Sequence, residues 1–179
     1  MKRAAALLAL GVLAPMLQGG LAPFVPQGLF PDLSFLLVVS IGLCWRSAVG
    51  GLLLSAAIGF VCDLLSGALL GQHALLRVVA YGTSRYASDQ VNLRSPGAQM
   101  VFVAVLTGIN ALAMGALTAF FSPGTAIGWI GFWELALVTA TNALTAPLMT
   151  ALVGMLVARL GDDEAGRRLL RLETRSIAS

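Results

Sequence analysis

Residues 51–71 read GLLLSAAIGFVCDLLSGALLG. The stretch predicts an apolar helix that carries one carboxylate, Asp63, and ends at a glycine hinge. Gly51, Ser55, Gly59, Asp63 and Gly67 recur every four residues, a spacing that draws one slowly drifting stripe along an α-helix. Small side chains let a second helix come close, and a charge inside an apolar span needs a partner. The stripe and Asp63 are therefore expected to face protein and not lipid. The fold class that follows is an all-α integral membrane protein.

Composition supports that class. Of 179 residues, 58% are hydrophobic and 11% charged, against about 25% charged in a typical soluble domain. Nearly every segment is needed for spans, which leaves no second large domain. In such a chain the net charge of +3 reports orientation, so nothing points to nucleic acid. Cys44 and Cys62 fall near opposite ends of neighbouring spans, too far apart for a disulfide that needs Cα atoms within about 7 Å. They read as small apolar side chains. The start, MKRAAALLALGVLAPMLQGG, resembles a signal peptide. No A-x-A cleavage pattern follows, and the apolar run continues to about Val25, so it reads as a first span.

A span takes about 20 apolar residues. Six are expected, near 4–24, 33–45, 48–66, 70–88, 97–121 and 131–159, in one transmembrane domain over 1–160. A short charged cytoplasmic tail follows at 161–179. Pro15 and Pro147 mark kinks, and Asp32 stands where the short second helix needs an N-cap. Ser66-Gly67-Ala68 separates the third span from the fourth; Ser84 to Pro96 is the most polar internal loop; a Ser-Pro-Gly turn is expected at 122–124. In the tail, Asp162, Asp163 and Glu164 precede Arg167, Arg168 and Arg171. That order suits either a separate helix or a solvated continuation of the sixth. Lys2, Arg3, Arg46, Arg85, Arg94, Arg159 and the tail arginines all fall on one side of six spans. The opposite connections, near 25–32, 67–69 and 122–128, hold no Lys or Arg, which places both termini in the cytoplasm.

The fourth span repeats the spacing of the third with polar residues: His73, Arg77, Tyr81 and Arg85. With Gly67-Ala68 as the turn, Asp63 and His73 come level and Arg77 lies one helical turn deeper, within reach of its long side chain. The expectation is a polar cluster of Asp63, His73 and Arg77 between helices three and four. Two readings of it stay open: a packing device that fixes helix register, and a ligand or proton site. Its place near the non-cytoplasmic end favours a clasp over a relay through the bilayer centre. Asn110 and Asn142 suit interhelical hydrogen bonds worth about 0.6–2 kcal/mol. Asp32 and Glu134 are expected at the interface, solvated. His73 is the sole histidine, and no Gly-x-Ser-x-Gly elbow, Walker loop or Gly-rich dinucleotide turn occurs. No catalytic residue, metal site or cofactor is expected. Gly51, Ser55, Gly59, Gly67 and Gly71, with Gly108, Ala111 and Gly115, are the candidate helix-packing positions.

The run from Gly59 to Gly71, GFVCDLLSGALLG, resembles MreD, the rod shape-determining membrane protein family of bacteria, which reads roughly G-[FL]-x-x-D-[LF]-x-S/G-G-x-x-x-G at this point. Pro31-Asp32, Arg46, Ala80-Tyr81, the Asn142 to Pro147 stretch and Arg159 agree in order and spacing. His73 and Arg77 lie outside the diagnostic positions, so their roles rest on geometry. The resemblance implies a non-catalytic inner-membrane scaffold of the cell-elongation machinery. Its implied partner is MreC, with MreB filaments inside the cell, and RodA with its class B penicillin-binding protein acting in peptidoglycan synthesis. It also implies a six-helix fold similar to the substrate-binding subunits of energy-coupling-factor transporters. That similarity carries the rival reading, a substrate-capture subunit for a vitamin or lipid. The faces at Gly51, Ser55 and Gly59, or at Gly108, Ala111 and Gly115, are the candidate docking surfaces for MreC. The Arg85 to Arg94 loop and the basic tail are candidate contacts to MreB or anionic membrane lipid.

Overall fold

The computed structural model describes residues 2–21, 24, 29–45, 47–67, 70–93, 95–121 and 129–177, with side chains given as far as Leu160 except at Lys2, Leu21, Trp129, Ile130 and Phe132. Among the described residues the chain forms six helices: α1 Lys2–Leu21, α2 Leu33–Cys44, α3 Ala48–Ser66, α4 Gln72–Gln90, α5 Pro96–Phe121 and α6 Trp129–Ile177. Four contain stretches long and apolar enough to cross a membrane: Arg3–Gly20, Ala48–Ser66, Pro96–Phe121 and Trp133–Leu160.

The short helix α2 is the centre. Every residue from Ser34 to Gly42 is buried, and α1, α3, α4 and α6 all pack on it. Its sequence, LSFLLVVSIGLC, is apolar on all sides, the pattern of a core helix. Twelve residues span only about 18 Å, less than the ~30 Å of hydrocarbon. Enclosure by protein removes the need to reach across lipid. Phe35, Leu36, Val38 and Ile41 of α2 form the core with Leu7, Ile58, Val103 and Val153.

The broadest contact joins α3 to α4, followed by α5 with α6, and α2 with α4 and α6. Lipid tails are as apolar as leucine, so helices here gain from close fit more than from water exclusion. The fit runs through glycines. A Cβ on Gly42 of α2 would lie 2.7 Å from the Ser84 Cβ and 3.0 Å from the Tyr81 carbonyl oxygen of α4. One on Gly11 of α1 would lie 2.5 Å from Ile58 Cγ1 of α3.

One segment differs from the sequence reading, and one of the two readings of the tail is met. α4 continues to Gln90, which shortens the expected 84–96 loop to 91–95. Its last turns are held by Arg85, whose Nη1 lies 2.9 Å from Asp89 Oδ1 and 3.0 Å from Ser88 Oγ. Ser95 then accepts the Ala98 N–H at 3.3 Å, and Pro96 opens α5 at a position where a missing N–H costs nothing. α6 runs unbroken to Ile177, so the backbone of the tail continues the sixth helix and forms no separate one. Arg46, most of the 22–28 turn and the 122–124 turn lie outside the described residues. Both cysteines are free thiols, Cys62 buried and Cys44 half-buried.

Candidate functional site

The α3–α4 turn starts from two glycines with positive φ, Gly67 at 64° and Gly71 at 94°, a conformation that L side chains resist. Gly67 ends α3 in the left-handed C-cap and Gly71 opens α4. A glycine N-cap has no side chain to satisfy the free N–H groups of a helix start. Asp63, reaching across from α3, does so. Its Oδ1 accepts the His73 N–H at 2.8 Å and lies 2.9 Å from His73 Nδ1. Its Oδ2 accepts the N–H of Gly71 at 2.9 Å and of Ala74 at 3.2 Å. The carboxylate is 1% exposed and also meets the positive end of the α4 dipole. It is an N-cap supplied from the preceding helix.

Gly59, one turn earlier, makes that reach possible. A Cβ there would lie 2.5 Å from Ala74 Cα and 2.7 Å from the His73 carbonyl oxygen, so α3 and α4 meet backbone to backbone. Further along, the Tyr81 ring lies on Gly51 where a side chain would be. The Ser55 hydroxyl turns back to the Gly51 carbonyl at 2.7 Å, and the Tyr81 hydroxyl donates to the Ser47 carbonyl at 3.2 Å. The Gly51–Ser55–Gly59 face is thus filled by α4. It is a packing surface within the chain and offers no place for an external helix. Gly67 and Gly71 serve as turn residues and pack on nothing.

Arg77 does not join Asp63. Both Asp63 oxygens are taken by the start of α4, and Arg77 Nη2 instead lies 2.6 Å from Asp32 Oδ2 and 2.9 Å from Ser34 Oγ. Asp32 is the N-cap of α2: its Oδ1 accepts the Phe35 N–H at 2.9 Å and the Ser34 hydroxyl at 2.8 Å. The Arg77 guanidinium also sits 5.2 Å from the Phe35 ring centroid, a cation–π distance. Asp32 is therefore ion-paired, with its side chain one-third exposed, where the sequence reading has it solvated.

The same level holds further polar contacts. Asn142 of α6 accepts the Asp32 N–H at 2.7 Å and donates to Thr107 of α5 at 3.3 Å. The Cys62 thiol points at Ser34 Oγ, 3.4 Å away. Gln72 of α4 donates to the Met114 carbonyl at 3.2 Å and to Thr118 at 3.1 Å on α5, and Gln18 of α1 donates to the Pro31 carbonyl. All six helices contribute to polar contacts around the α2 N-terminal end. Three buried atoms, Arg3 Nε, Arg77 Nε and Asn110 Oδ1, have no partner among the described residues, so the Asn110 side-chain oxygen takes no part in the interhelical hydrogen bond expected of that residue.

Replacing Arg77 with methionine keeps much of its bulk and removes the pairing. Water reaches the partly exposed Asp32, so the expected loss is about 1–3 kcal/mol, seen as a lower melting midpoint of the detergent-purified protein.

The Arg77–Asp32 pair, Ser34, Gln72 and Thr107 escape the sequence reading. One signal is present in the chain. α2 and α4 both begin at the same end of the bundle, so an arginine one turn into α4 stands level with an acid that starts α2. Of the remaining glycine face, a Cβ added at Gly108 would meet no atom within 4 Å, and Leu112 beside it is 73% exposed. Ala111 and Gly115 are half-buried. That α5 surface faces outward.

Fold and site together define a multi-pass helical membrane protein fastened at one end of its bundle by a carboxylate-capped hairpin and a half-buried ion pair. Comparison with protein families, with characterised proteins and with solved structures finds no match for the chain.

Proposed function

We propose that this chain is a non-catalytic inner-membrane scaffold of the MreD kind, which docks the transmembrane helix of MreC and helps organise peptidoglycan synthesis behind rod shape. The observation that carries the reading is the state of Asp63. Its two oxygens are engaged by three backbone N–H groups and an imidazole, an arrangement that builds a hairpin and leaves no free base or ligand contact. The residues that carry the MreD resemblance are thus used for architecture. On this reading the chain makes six passes, the short α2 completing its pass inside the bundle and away from lipid, and both termini lie in the cytoplasm, in line with the distribution of basic residues. RodA with its class B penicillin-binding protein, and MreB, are reached through MreC or through the cytoplasmic tail.

With the α3 stripe occupied by α4, the docking surface is the outward α5 face at Gly108, Ala111 and Gly115. Small residues there let a partner backbone approach. Gly108→Leu is expected to leave the melting midpoint unchanged and to cut co-purified MreC by about tenfold or more. Retention of MreC by this variant at the wild-type level would rule out the α5 face. Failure of the wild-type chain to retain MreC, with both proteins folded, would rule out the scaffold itself. A vitamin or lipid that co-purifies in stoichiometric amount would favour the capture-subunit reading.

A further inference from the structure

At the opposite end of the bundle, α2 stops at Cys44 while α4, α5 and α6 flank the space beyond it. The shortfall leaves an open cleft of about 680 Å³, within the ~300–1,000 Å³ usual for ligand sites. Trp45, Arg85, Asp89, Asn92, Gln99 and Thr150 line it, drawn from the α2 end, α4, the connection after it, α5 and α6. So many polar groups around one hollow are unusual in a chain that is 11% charged.

We propose that this cleft binds the headgroup of an anionic, hydroxyl-bearing phospholipid of the phosphatidylglycerol class, with Arg85 as the phosphate contact. Ser88 and Asp89 both hold the same nitrogen of Arg85, Nη1. Nε and Nη2 make no hydrogen bond among the described residues, so the guanidinium is oriented with one edge free. That planar edge matches two phosphate oxygens. Asp89 is 59% exposed against 28% for Arg85, so the acid lies toward solvent and the base further into the cleft. The exposed amide of Asn92 supplies a further donor.

The ends of α2 and α4 supply the complementary chemistry. The last carbonyls of a helix lack intrahelical partners, and two helices end at this cleft. Carbonyl oxygens cannot bind a phosphate, but they accept from the hydroxyls of a glycerol headgroup. Leu43 and Trp45 give the apolar wall that a lipid needs where its chains leave the headgroup. Basic pockets between transmembrane helices at the membrane edge are a recurring form of lipid site. The inference stands apart from the scaffold reading and would survive its failure.

The test uses the full chain in a neutral detergent, titrated with short-chain phosphatidylglycerol, phosphatidylcholine or glycerol 3-phosphate, and read by thermal shift and native mass spectrometry. Phosphatidylglycerol is expected to raise the melting midpoint and remain bound, with phosphatidylcholine weaker because it has no hydroxyl donor. Arg85→Gln is expected to weaken phosphatidylglycerol binding about tenfold or more, while Arg159→Gln leaves it unchanged. Asn92→Asp, an exposed change that adds a negative charge to the cleft, should weaken it too and serves if Arg85→Gln fails to fold. Equal shifts with both lipids, wild-type binding by the cleft variants, or an equal effect of glycerol 3-phosphate would each overturn the lipid site.

Discussion

Gly59→Leu is expected to leave little or no folded protein, the largest effect of any single substitution in the chain's α3–α4 hairpin. A Cβ at this position would lie 2.5 Å from Ala74 Cα, 2.7 Å from the His73 carbonyl oxygen and 2.8 Å from Ala74 N. All three are backbone atoms of a regular helix and cannot rotate aside. Overpacking a core costs about 1–3 kcal/mol where side chains can adjust, and more is expected where they cannot. The second consequence is larger. Pushing α4 away from α3 stretches the Asp63 contacts one turn further on, which now span 2.8–3.2 Å. Each buried donor left unpaired costs about 1–3 kcal/mol. Against a total stability of about 5–15 kcal/mol, the sum removes most of the folded population. Gly59→Ala should show the same defect in graded form. Gly82→Leu is the control, because Gly82 has open space on the exposed side of the same helix pair. Fluorescence-detected gel filtration and melting in detergent read all three. A wild-type melting midpoint for Gly59→Leu would contradict the contact.

Asp63→Ala is the second large effect. It strips the acceptor from the N–H groups of Gly71, His73 and Ala74 and from the His73 ring. The alanine cannot reach α4, and the site is too buried for water to substitute freely, with Asp63 1% exposed. The contributions are not additive, and a loss of about 3–5 kcal/mol is expected. Asp63→Asn should fall between wild type and alanine, since it keeps one acceptor oxygen but turns an NH₂ toward donors. Hydrogen exchange locates the damage: amides over residues 71–76 lose protection first, while α5 and α6 keep theirs. The defect should also change little with salt, because buried contacts are weakly screened. Uniform loss of protection along the whole chain would show that Asp63 does more than start α4.

Much of this is legible in the sequence, for definable reasons. The four-residue spacing from Gly51 to Asp63 identifies the face of α3 that meets another helix, since only small residues allow such an approach. Asp32 after Pro31 reads as an N-cap because capping is local chemistry, set within three residues. The pairing of Asp63 with His73 follows from counting outward from a glycine turn. What escapes is long-range. Counting assigns Arg77 to the acid across the glycine turn, whereas Asp63 has its lone pairs taken by backbone groups that no side-chain pattern reveals. The true partner, Asp32, is 45 residues away in the chain. The central position of α2 is equally hidden. A short apolar segment reads as a deficient span until the helices that enclose it are placed around it.

On the proposed scaffold reading, the Asp63 and Arg77 groups are fasteners and take no part in chemistry or transport. The most direct test of that reading measures three quantities on one set of variants, Asp63→Asn, Arg77→Met and Gly59→Ala: melting midpoint in detergent, MreC retained on purification, and rod shape restored in cells lacking the chain. The three are expected to fall together, in proportion to the loss of fold. A variant with wild-type melting and wild-type retention of MreC, yet no rod shape, would contradict that reading.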